Sequence, residues 1–138
     1  MIAEQANDGM SNSRLQVLIE QMGTIVESRL GFWRFDFQGR ELLTVTDESH
    51  NRLRIMTPVI SADTLSMENL KTILTANFGR ALDAKYALSQ GALWAVFMHP
   101  LRELSEEQFV DAAQQVFNLA NNYGSSYTSS DIVFGDGD

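Results

Sequence analysis

Two histidines, scattered carboxylates and many serines are the only side chains in this sequence with an obvious capacity for chemistry, because it contains no cysteine. That absence removes a disulfide framework, a thiolate metal site and a thiol nucleophile together. His50 stands in the polar run Asp47-Glu48-Ser49-His50-Asn51, and His99 directly precedes Pro100. Neither has a second histidine at the spacing with which one helix presents two metal ligands, so they read as polar residues of a loop and of a strand end. Asp131, Asp136 and Asp138 lie close together but lack the alternation and terminal glutamate of a calcium loop, and read as a solvated tail. The serines form no Gly-x-Ser-x-Gly elbow, and neither a P-loop nor a Gly-x-Gly-x-x-Gly turn occurs. Glu106-Glu107 and Asp47-Glu48 are accounted for by a helix start and a solvated loop. The expectation is a non-enzyme, with no catalytic residue, no metal and no cofactor.

Eighteen acidic against ten basic side chains give a formal charge of −8, the wrong sign for gripping a phosphate backbone. No window approaches the roughly 20 apolar residues of a membrane helix. The opening residues MIAEQANDGMSNS lack the basic and apolar regions of a signal peptide. A soluble cytoplasmic protein is therefore expected, without a nucleic-acid or membrane partner. At 138 residues the chain suits one domain with a real core. Residues 1–12 read as a lead-in, 13–124 as a single α+β domain and 125–138 as a polar, acidic tail.

Several elements must position whatever function there is. Ser13 and Gln16 form a capping-box pattern, and Leu15, Leu18, Ile19, Met22, Ile25 and Val26 recur at helical spacing, predicting a helix that stops near Gly31. The period then changes to two: Trp33, Phe35 and Phe37 alternate with Arg34, Asp36 and Gln38, as in a strand with one buried face. Gln38-Gly39 turns the chain into Arg40–Thr46. A third strand, Arg52–Ile60, places Leu53, Ile55 and Val59 opposite Arg52, Arg54 and Met56, and Pro58 predicts an end or an edge. Ser66 caps a second helix whose apolar stripe is Met67, Leu70, Ile73, Leu74, Phe78 and Ala81. Lys85–Leu88 turns at Gln90-Gly91 into Ala92–Met98. Ser105 and Gln108 box the last helix, which carries Phe109, Ala112, Ala113, Val116, Phe117 and Ala120 and stops at Gly124. In the tail, Ile132, Val133 and Phe134 are read as a short strand or a segment tucked on the body.

The fold class read from this pattern is α+β: an antiparallel sheet of about five strands with three helices, in the order α-β-β-β-α-β-β-α. The run Ala92–Met98 (ALWAVFM) is too unbroken for a strand with one wet face. Either Trp94, Val96 and Met98 or Leu93, Ala95 and Phe97 meet a second chain or a partner, or the chain's own helices cover both faces.

The stretches NLKTILTANFG (Asn69 to Gly79), Tyr86-Ala87-Leu88, Gly91-Ala92-Leu93-Trp94, Pro100-Leu101 and Leu104-Ser105 resemble the second helix, the following hairpin and the last-helix opening of two related groups. These are the type III secretion chaperones of the Tir-chaperone class and the YbjN-like proteins. The resemblance spans residues 13 to 123. The chaperone side implies an ATP-independent bacterial homodimer that holds an extended segment of a secreted or effector protein. The YbjN-like side implies a regulatory or stress-response domain instead. Apolarity singles out Leu18, Ile19, Met22, Trp33 and Phe35 for a protein client, and Trp94, Val96 and Met98 for self-association.

Overall fold

In the computed structural model, which describes residues 9 to 129, the first helix is α1 (Asn12–Met22). Its cap is Ser11, whose hydroxyl accepts from Arg14 N at 3.3 Å, and not Ser13. The helix stops where Gly23 brings the backbone against β2: a Cβ there would stand 2.0 Å from Asp36 O. Beyond it Thr24, Ile25 and Val26 are β-branched and stiff at χ1, so the sequence expected to prolong the helix forms strand β1 (Thr24–Arg29) instead.

Strands β2 (Phe32–Phe37), β3 (Arg40–Asp47) and β4 (Arg52–Ser61) follow. A short 3₁₀ turn (Ala62–Thr64) leads to α2 (Met67–Gly79), then β5 (Lys85–Ser89), β6 (Ala92–Pro100) and α3 (Glu106–Asn121). The α+β class and the order of the expected elements stand, with β1 inserted as a sixth strand. The sheet order is β1-β2-β3-β4-β6-β5. β4 therefore runs on past Pro58 and is interior, against the expectation of an edge.

The two tight turns are as the sequence implies. Gln38 and Gly39 have φ of 55° and 93°, Gln90 and Gly91 have 50° and 79°, and this pair of left-handed residues matches the twist of a hairpin. Ser66 caps α2 with Asn69 as reciprocal partner. Ser105 and Gln108 box α3, with Gln108 N donating to Ser105 Oγ at 3.0 Å and Ser105 N to Gln108 Oε1 at 2.8 Å.

By internal packing the chain divides into two units, one comprising Met1–Ile55 and Met98–Asp111, the other Met56–Phe97 and Ala112–Asp138. The first has its core at Leu15, Leu18, Ile19, Trp33, Phe35, Leu42, Leu53, Leu101 and Phe109, all buried. Its register pairs Phe35 with Leu42 and Trp33 with Thr44, which puts these on one face, while Arg34 and Leu43 pair on the other. The second unit buries Ile73, Ala76, Tyr86, Leu93, Ala95, Phe97, Val116 and Leu119. There the segment after α3 is tied down: Arg80 donates to Ser126 O at 2.9 Å and Leu82 N to Ser129 Oγ at 2.9 Å. Ile132, Val133 and Phe134 lie outside the described residues.

Candidate partner-binding surfaces

Among the described residues the only acid, histidine and serine found together are Asp47, Ser49 and His50, in the β3–β4 turn. His50 Nδ1 lies 2.8 Å from Asp47 Oδ2 and 3.2 Å from Ser49 Oγ, and the Ser49 hydroxyl also donates to Asp47 Oδ1 at 2.7 Å. A catalytic relay needs the nucleophile on one ring nitrogen and the carboxylate on the other. Here both crowd the same nitrogen on an exposed turn, and the serine proton is already given to the acid. The arrangement closes the turn. The Ser49 hydroxyl, then the His50 side chain, hold the Asp47 carboxyl down to about 2. His99 Nδ1 lies 2.8 Å from Pro100 O, and no group of three potential metal ligands occurs among the described residues.

What the described surface does carry is large apolar side chains in water. In the first unit Leu30, in the β1–β2 turn, is 92% exposed, and Val17 of α1 and Val26 of β1 are about half exposed. A hollow of about 480 Å³ opens beside them, lined by Asn12, Ser13, Gln16, Ser28, Arg29, Leu30, Gly31 and Trp33. Trp33 forms its floor: the ring is buried, and its N–H donates to Gln16 Oε1 at 2.8 Å. Of the other client candidates, Leu18, Ile19 and Phe35 are core side chains that support this floor, and Met22 is half-buried. An apolar helix face in a small protein is first of all the core, and these residues follow that rule.

In the second unit the outer row of α2 is bare. Met67 is 68% exposed, Leu74 67% and Phe78 94%, while Ile73 and Ala76 of the same helix are buried. The six-residue stripe expected to be core thus splits into a buried line and an exposed line. Spacing alone could not divide it, because the apolar residues form one continuous arc that is wider than the strip the core covers. The run Ala92–Met98 divides more cleanly: Leu93, Ala95 and Phe97 are buried, Trp94 and Val96 are half-exposed and Met98 is 56% exposed. Trp94 keeps its ring N–H on Ser89 O at 3.0 Å.

The two sheet edges are unlike. On β5 the outer backbone is already engaged: Asn77 of α2 accepts from Tyr86 N at 2.8 Å and donates to Tyr86 O at 3.0 Å, imitating a neighbouring strand. On β1 no described strand lies outside the pairing with β2, and its register shifts between Ile25 and Glu27, a bulge at Val26.

No family model and no curated protein sequence matches this chain. Solved structures do. A chain of the HopA1–SchA chaperone–effector complex superposes with a TM-score of 0.59 at 15% identity over 81% of this chain and 94% of its own. The structure of the Yersinia pestis type III secretion chaperone SycH with a stable fragment of YscM2 matches with a TM-score of 0.61 at 16% identity, over 82% and 98%. The ExsC–ExsE complex gives 0.59 at 14%, over 79% and 90%. The fold is that of the type III secretion chaperones. No helix among the described residues is long and apolar enough to cross a membrane.

Proposed function

We propose that this chain is a non-enzymatic, chaperone-like binding protein that acts as a homodimer and holds an extended segment of another protein. The observation that carries the reading is the set of large apolar side chains left in solvent, Leu30 in the first unit and Met67, Leu74 and Phe78 in the second. Water does not favour such patches, and they mark surfaces that another protein covers. The fold adds support, since it is shared with chains solved in complex with partner proteins.

The client segment seats in the first unit. Its backbone adds to the β1 edge, and alternate apolar side chains enter the hollow over Trp33 beside Leu30. The second copy seats on the second unit, on Trp94 and Val96 and the outer row of α2. The ion pairs of Arg34 with Glu27 at 3.1 Å and Glu41 at 2.9 Å fix the β1–β3 face without consuming apolar surface.

A photo-crosslinking residue at Leu30 tests the client half in the cell that makes the protein. A discrete crosslinked partner is expected, mapping to one contiguous segment. Absence of any crosslink at Leu30, with the same probe at Val17 and Val26 equally silent, overturns it.

A further inference from the structure

The open face of the first unit's sheet treats its arginines unequally. Arg34 is neutralised by Glu27 and Glu41. Arg52 and Arg54 of β4, two residues apart and so on the same face, are exposed, and their side chains make no hydrogen bond or ion pair with another described residue. Both line a hollow of about 250 Å³ with Val45, Thr46, Asp47, Leu53 and Met98. The one carboxylate in the lining, Asp47, is engaged by Ser49 Oγ and His50. In a chain of charge −8, with nearly two acids for each base, two neighbouring guanidiniums beside the exposed Met98 have no paired acid among the described residues.

We infer that this hollow receives an acidic, apolar segment of the protein partner, its carboxylates on Arg52 and Arg54 and an apolar side chain against Met98 and Val45. Guanidinium binds carboxylate in a planar, two-pronged geometry, and its weak hydration makes it the cation best suited to sit beside apolar surface. The inference rests on the reading of this chain as a protein-binding module and names the chemistry of what it binds. The net charge sharpens the test, because the protein as a whole repels an acidic peptide and only a local site can reverse that.

The probes are two dye-labelled peptides, one alternating Asp with Leu and the other Lys with Leu, followed by fluorescence anisotropy on the full chain. The acidic peptide is expected to bind the more tightly, and to weaken as salt rises from about 50 to about 200 mM. Arg52→Glu with Arg54→Glu should lower its affinity at least about tenfold. The neutral pair Arg52→Gln and Arg54→Gln should fall between, with the thermal midpoint unchanged in both. Preference for the basic peptide, equal binding of the two, or acidic-peptide binding that survives charge reversal overturns the site. Binding of neither also overturns it, whereas the Leu30 crosslink judges the broader reading separately.

Discussion

Thr44 is fully buried in the first unit, opposite Trp33, and its hydroxyl has no hydrogen-bond partner among the described residues. A buried hydroxyl stripped of water and given nothing in return costs about 1 to 3 kcal/mol. Valine has nearly the same shape and the same strand preference, so Thr44→Val is expected to raise stability by about 1 kcal/mol in urea unfolding; a loss would show that the hydroxyl is satisfied in solution. Asp47 gives a prediction of opposite character. Its folded carboxyl titrates at about 2, below its ordinary 3.8, so the native state favours the ionised form. The resulting stability is fully present above about pH 4 and is lost as the pH falls through about 2. Asp47→Asn should therefore be the less stable protein at pH 5 to 7, with the difference closing toward pH 2 in unfolding titrations. A gap that persists at the acid end would assign the effect to packing instead of charge.

Elements in this chain are held by a few side chains that act on neighbouring backbone. Asn77 is the sharpest case, since one amide satisfies both the N–H and the C=O of Tyr86 on the β5 edge. Asn77→Ala is expected to cost about 1 to 2 kcal/mol and to raise aggregation on warming, because it leaves two partly buried groups unmet and bares a strand edge. Unchanged unfolding and light scattering would remove Asn77 from that role. Much of this level was legible beforehand: the two Gln-Gly turns, the Ser66 and Ser105 caps and the period-two strands all follow from local chemistry. β1 was not. Ile25 and Val26 fit a helical stripe by spacing, and what opposes it is the β-branched run Thr24 to Val26 together with the close approach of Gly23 to Asp36, thirteen residues away, a contact that spacing does not show. The client candidates suffered from a related blindness. Apolarity marked Leu18, Ile19, Met22, Trp33 and Phe35 and passed over Leu30, and only the folded chain separates floor from rim.

At the scale of the molecule the proposed self-association has two candidate apolar surfaces, and exposure makes them separable. Phe78 is 94% exposed, so Phe78→Asp removes almost no packing and should leave the unfolding free energy within about 0.5 kcal/mol of the parent. Trp94 is half-exposed and donates to Ser89 O, so Trp94→Asp carries some folding cost along with any effect on association. Sedimentation velocity over a concentration series can then divide the two. The parent is expected as a dimer at micromolar concentration, Phe78→Asp as a folded species whose dimer is weakened at least about tenfold, and Trp94→Asp as weakened in association and in stability together. A parent that stays strictly monomeric at high micromolar concentration would sink self-association for both surfaces. A fully dimeric Phe78→Asp beside a monomeric Trp94→Asp would return the interface to the sheet and leave the outer row of α2 for the client. The apolar run on β6 thus matters less as an unbroken string than as two faces, one spent on the core and one left partly in solvent.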